Sequence, residues 1–227
     1  MSHPHRLFAR IHFPRLNIFV ENKINMRKIF AITFSVFATA SSLAQQKSDL
    51  PYYEIPSYPE AYTPGTVAAR VIDGLGFRYY WATEGLRDED LKYQPKGAEA
   101  NSEARTTEET IQHIYSLTNV ILNTMLKRPT VSGELNIKIP FAELRKKTLD
   151  NIKQAADILR NAKAGDVEAM KVVFKSESGA REFPFWNILN GPVDDALWHV
   201  GQVITFRRSS GNPYNNKASV FTGKVNP

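Results

Sequence analysis

Gly191-Pro192-Val193-Asp194-Asp195-Ala196-Leu197-Trp198-His199-Val200-Gly201-Gln202, continued by Val203-Ile204-Thr205-Phe206-Arg207-Arg208, is the stretch on which the fold turns. It reads as a helix, either starting near Phe185 and bent by Gly191-Pro192 or starting afresh with Pro192 in its first turn. Gly211-Asn212-Pro213 supplies its stop. Asp195 and His199 stand four residues apart, so both project from one face, one turn apart. That spacing suits two metal ligands, and equally an ordinary helical ion pair. Asp194 and Asp195 also suit the positive end of a new helix, and Arg207 and Arg208 the negative end.

Upstream, Lys171–Lys175 and Arg181–Phe185 flank Ser176-Glu177-Ser178-Gly179-Ala180, the pattern of a small β-hairpin. Before it, Phe141, Leu144, Thr148, Ile152, Ala155 and Leu159 keep a helical period. Arg145, Lys146, Lys147 and Lys153 fall mostly elsewhere, as on a solvated face. Val131–Pro140 offers at most a short extended segment. Another helix has a clear start in Thr106-Thr107-Glu108-Glu109, a capping box, and buries Ile114, Leu117, Ile121 and Met125 before Lys127-Arg128-Pro129. The first helix follows Pro64, with Val67, Val71, Leu75, Tyr79, Ala82 and Leu86 as its apolar stripe. Four amphipathic helices and one hairpin before the last of them predict an all-α fold, a four-helix bundle spanning residues 64–211. Residues 45–63, dense in Pro and Tyr, read as an extended arm, and 212–227 as a surface tail.

Residues 1–44 have a different character. From Met26 the order is Arg27-Lys28, the apolar run Ile29–Ala40, then Ser42-Leu43-Ala44, the pattern of a secretory signal peptide cut after Ala44. Residues 1–25 read as an upstream extension. The alternative is an uncleaved amphipathic anchor. Arg6, Arg10, Arg15, Lys23, Arg27 and Lys28 face only Glu21 in this segment, so almost all of the net charge of +6 lies there. The remainder is close to neutral, and the basic balance is no argument for nucleic-acid binding. With no cysteine in the chain, disulfides, zinc-thiolate sites and thiol nucleophiles are excluded. Of the five histidines, His3, His5 and His12 lie in the leader, which leaves His113 and His199 for any imidazole chemistry.

Sites in helical bundles are assembled from facing helices. His113 on the second long helix, with Asp195 and His199 on the last, would offer two imidazoles and one carboxylate, a set suited to zinc, nickel or iron. Gln202, one turn past His199, stands where it could orient that ring, or make an interhelical hydrogen bond. A histidine satisfied within the core is the competing reading of His113.

The segment Ala196–Gly211, centred on Trp198-His199-Val200-Gly201-Gln202, resembles the last helix of the DinB-like (DNA-damage-inducible) family, where a His-x-Gly-Gln core is followed by Arg and Gly. Thr107-Glu108-Glu109 and His113 are similar to that family's second-helix histidine region, and helix order and the hairpin before the last helix agree over residues 64–211. The resemblance implies a DinB-like four-helix bundle with a three-ligand divalent-metal site, commonly in a homodimer. His113 and His199 match the first and third ligands. Asp195 stands where the family usually has its second histidine, a departure that adds negative charge and leaves metal and activity open.

The family includes thiol-dependent transferases, an isomerase and metal-dependent hydrolases. Export fits poorly with a cytosolic thiol, so the expectation is a periplasmic or extracellular metalloprotein, a hydrolase or transferase acting on a small-molecule substrate. It would have no nucleic-acid partner, and no membrane association once the signal is cut. The alternative is a non-catalytic bundle that binds metal or a small ligand.

Overall fold

Thr63 opens the first long helix with reciprocal bonds: its hydroxyl accepts from the Thr66 amide at 3.1 Å, and the Thr66 hydroxyl accepts from the Thr63 amide at 2.8 Å. Pro64 in the first turn loses no hydrogen bond there. The computed structural model describes residues 49–97, 104–135 and 137–227. The signal segment and upstream extension read from 1–44 lie outside the described residues. No helix among the described residues is long and apolar enough to cross a membrane.

The protein is mostly helical. Among the described residues, four helices of 16 to 20 residues carry it: α1 (Pro64–Thr83), α2 (Thr107–Met125), α3 (Phe141–Arg160) and α4 (Asp194–Ser209). The capping box at Thr106 forms as expected, with Glu109 reaching back to the Thr106 amide at 2.8 Å. Both α3 and α4 pack against α1 and against α2. Ile72, Leu75, Phe77, Ile111, Ile114, Leu149 and Ile152 fill the space between them and are fully buried, each contributing about 1.5–3 kcal/mol of transfer free energy. Gly65 lets α1 approach α3 closely, since a Cβ there would sit 2.3 Å from the Leu159 carbonyl oxygen.

The expected hairpin is present as β2 and β3. A short strand β1 (Thr130–Val131) pairs parallel to β2 (Val172–Ser176), and β2 pairs antiparallel to β3 (Gly179–Phe183). Past β3 the chain turns helical at Trp186–Ile188 and runs without a break into α4 through a π-helical turn, Leu189–Val193. The cause is Pro192, which has no amide to donate and whose ring crowds the carbonyl four residues back. The Asp194 amide reaches back to Leu189, and the extra residue rotates everything after it by about 100°. Asp194 and Asp195 therefore do not cap a new helix; the bent reading is the one that forms.

Several expectations need correction. Val67 and Val71 point outward, and Ala68, Ala69 and Ile72 take the inner positions of α1 instead. The C-terminal half of α1 is buried on almost every side, because the N-terminal arm covers what the other helices leave. Tyr52, at φ +74°, lays its ring over Gly76, where a Cβ would stand 2.6 Å away, and Trp81 donates to the Tyr53 carbonyl. Arg145 does not join a solvated face but is buried, donating to Thr83 and pairing with Glu84. After α1 the chain makes a single helical turn, Asp88–Leu91. Gly201 is exposed with open space around it. The tail is partly structured: strands β4 (Ala218–Ser219) and β5 (Lys224–Val225) pair, and Gly223 accepts from the Ile55 amide. Arm, helices and tail belong to one unit, Lys47–Pro227.

Arg207, read as a partner for the negative end of its own helix, is buried against the end of α1. Its guanidinium donates to the carbonyls of Trp81, Ala82 and Glu84, acceptors that α1 leaves without amide partners at its end, and to that of Asn212 just past α4. Arg208, by contrast, is exposed and stacks on Tyr214. Replacing Arg207 with Met is expected to cost about 3 kcal/mol, since a charged donor is lost and buried acceptors are left unpaired, whereas Arg208→Ala should stay within about 0.5 kcal/mol. Urea unfolding of both variants checks this; equal effects would show that the α1 terminus is satisfied without Arg207.

Candidate metal centre

His113 sits in the second turn of α2, at the flank of that helix's buried stripe, and its ring leans toward the start of α4. Asp195 and His199, four residues apart on α4, face it. The π-helical turn sets this phase, because it rotates α4 relative to the helical turn that precedes it.

The three side chains meet. His113 Nε2 lies 3.4 Å from Asp195 Oδ2, and His199 Nε2 lies 3.1 Å from Asp195 Oδ1. The two imidazoles approach edge to face, with ring centroids 4.7 Å apart and planes at 84°. One donor atom from each residue falls within 4.8 Å of the others. Around a tetrahedral ion with bonds of about 2.0–2.2 Å, donors stand about 3.3–3.6 Å apart, so the spacing is that of a site a small adjustment would close. The donor set, two imidazole nitrogens and a carboxylate, fits a divalent ion.

Gln202 adds a chemical argument. Its amide oxygen is placed 2.7 Å from His199 Nδ1; with the amide in that orientation Nδ1 carries the hydrogen. In a neutral ring Nε2 then presents a lone pair to an Asp195 oxygen that also only accepts. Two acceptors at that distance repel each other unless positive charge lies between them. A second proton on the ring supplies it, as in a plain helical ion pair; so does a metal ion. The orienting hydrogen bond from the far nitrogen is the arrangement that holds ligating histidines in place.

His113 is held below the ordinary histidine range chiefly by burial, then by the positive charges of Arg105 and His199, with Asp195 working the other way. The shift favours the deprotonated ring, the form a ligand needs. Arg105 was not singled out by sequence reasoning; a lone cation ahead of a helix cap gives no signal of its own. All three proposed ligands and Gln202 are brought together, and no other group of three such side chains among the described residues is arranged to hold an ion.

The sign of the His113 shift gives a pH dependence. Its folded value is below the unfolded 6.5, so as pH falls through about 6.5 the unfolded chain takes up a proton that the folded protein resists, and stability declines. The loss is complete once pH is below the folded value. Melting temperature measured in chelator from about pH 7.5 to about pH 5 should fall, and fall less steeply in His113→Gln; identical slopes would remove His113 as the source. Comparison with protein-family models, with curated proteins and with solved structures finds no match, so the centre is read from its own geometry.

Proposed function

We propose that the protein is an exported metalloprotein, a DinB-like four-helix bundle that holds one divalent ion through His113, Asp195 and His199 and acts on a small molecule as a hydrolase or transferase. The observation that carries this is the meeting of His199 Nε2 and Asp195 Oδ1 at 3.1 Å while Gln202 accepts from the far side of the ring. Such a contact calls for positive charge at the point where His113 also aims a nitrogen. Zinc, nickel and iron suit the donors.

When bound, such an ion supplies Lewis-acid chemistry, polarising an electrophile and lowering the pKa of a water or thiol beside it. The chain's own residues set the conditions for that. Gln202 holds the plane of the His199 ring, burial and Arg105 favour the deprotonated form of His113, and Asp195 adds the negative charge that makes the centre harder than a three-histidine site. Asp195 is committed to both rings, so it serves as ligand and not as general base. Among the described residues no further carboxylate or imidazole joins the cluster, which favours, as second reading, a bundle that binds a metal or small ligand without turning it over. The leader implied by Met26–Ala44 supports export.

Protein purified after expression of the full chain is expected to carry or take up about one divalent ion per chain and to melt higher with it. His113→Ala and Asp195→Ala should each abolish binding, and Gln202→Ala should weaken it about 10–100-fold. Less than about a tenth of an equivalent, with no change in melting on adding zinc, nickel or iron, contradicts the proposal. N-terminal sequencing of the same material tests export: a chain starting at Gln45 supports it, and an intact leader opposes it.

A further inference from the structure

The face of α4 turned away from the metal centre borders a second feature. Leu197, Val200 and Ile204 look toward α1, and between the two helices runs an open apolar groove formed by two adjoining cavities of about 540 and 530 Å³ that share Val71. The first, at the N-terminal ends, is an apolar hollow walled by Val67, Phe185, Trp186 and Leu189. Among the described residues, Glu168 is the one charged member of its wall. The second, toward the C-terminal ends, carries two cations, Arg70 and Arg78, and is bounded by Ile204 and Val220. Cavities of this size, with apolar walls and a few polar groups at fixed places, are of the kind that holds small molecules.

Two glycines keep the second cavity open. Gly74 on α1 and Gly201 on α4 both line it, and a Cβ at Gly201 would meet nothing within 4 Å. A long side chain at either place would occupy the groove. Arg70, Gly74 and Arg78 follow one another at four-residue spacing, so they share a face of α1 and both arginines border the space that the glycine leaves. The Arg78 guanidinium lies 3.2 Å from where a Gly74 Cβ would stand. Arg70 donates to the Pro56 carbonyl at 2.9 Å and lies over the Tyr58 ring, and Arg78 donates to the Gly74 carbonyl at 3.0 Å. Neither takes part in an ion pair among the described residues. A guanidinium has more N–H donors than these bonds use, and its planar fork fits a carboxylate.

The groove has the polarity of an amphiphile. Val67 is 52 % exposed, Val71 41 % and Trp186 74 %, a contiguous apolar surface that an alkyl chain would take out of water. Positive charge stands at the other end of this surface, where a carboxylate is attracted, and Glu168 at the hollow repels one, so the ends of an anionic amphiphile are told apart. The rise from Val67 to Arg78 along α1 is about 16 Å. With carbon–carbon bonds of about 1.5 Å, a zigzag chain of roughly twelve carbons has that length.

We propose that this groove binds one free long-chain carboxylic acid, with its alkyl chain in the Val67–Trp186 hollow and along Val71 and its carboxylate on Arg78 and Arg70. The site is independent of the metal reading, because the groove and the centre lie on different flanks of α4.

Calorimetric titration of dodecanoate, below its micellar concentration, into protein purified after expression of the full chain is expected to show saturable binding of a single acid per chain. From octanoate to dodecanoate each added methylene should tighten binding by up to about fourfold, and chains longer than the groove should gain nothing more. Dodecyltrimethylammonium, with the same chain and the opposite charge, should bind at least about tenfold more weakly. Gly201→Leu fills the groove and should abolish binding, while Arg78→Gln should weaken it about tenfold. Gly201 is exposed and Arg78 half-buried, so unchanged melting in the absence of acid reports that both variants fold. Equal affinity for acid and ammonium, or binding indifferent to both variants, overturns the proposal. So does attachment to phosphatidylglycerol vesicles without uptake of the free acid, or a groove closed by a second copy of the chain that takes up no acid at all.

Discussion

A helix that ends inside a protein leaves carbonyl oxygens without amide partners, and in this protein the end of α1 is where everything else is fastened. Arg207 from α4 and Arg145 from α3 both reach it, the first through the carbonyls of Trp81, Ala82 and Glu84, the second through Thr83, Tyr80 and Glu84. A buried guanidinium is tolerable only with its donors used, so the two arginines and the helix terminus require each other. Beside them Asp90, whose carboxyl the Arg87 guanidinium holds far below the usual carboxylate range, ties the loop after α1 to Ser210 and Asn212 at the end of α4. The C-terminal end of α4 is thereby pinned in rotation as well as in position.

That pinning has its effect two turns away. His199 stands eight residues before Arg207, and Asp195 one turn earlier still, so fixing Arg207 fixes the direction in which both face. At the other end the π-helical turn at Pro192 lets the chain arrive from β3 in a different phase without breaking the helix. The rings of His113 and His199 and the carboxylate of Asp195 are therefore set by packing on rigid helices and not by a loop, which is what a ligand set with bond tolerances of about 0.2 Å demands. The same rotation leaves Leu197 and Ile204 beside α1, where the apolar groove opens. One helix thus presents a polar cluster to α2 and an apolar face to the groove.

Much of this was legible in residue order where local chemistry decides it. The Thr106–Glu109 capping box, the helical period of Leu144–Leu159, the glycine-bearing hairpin and the Gly211 stop each rest on interactions within a few residues, and each forms as read. Setting aside the leader isolated His113 and His199, and the structure brings them together. What was not legible depends on partners distant in the chain. Periodicity assigned Val67 and Val71 to the core because it cannot tell a buried stripe from an exposed apolar one. Arg145 and Arg207 look like any surface cation until the end of α1 is placed beside them. The covering of Gly76 by Tyr52 and the joining of arm to tail at Ile55 and Gly223 involve residues far apart in sequence with no local signature. Gln202 carried a hint from its spacing, but only its distance to Nδ1 turns that hint into an argument about the tautomer.

The central claim is that His113, Asp195 and His199 form one metal centre. X-ray absorption spectroscopy on zinc-loaded protein reads the ligands directly: the account predicts two imidazoles and a carboxylate oxygen, all at about 2.0–2.2 Å. A spectrum with one imidazole or none, or with a shell of water alone, would contradict it.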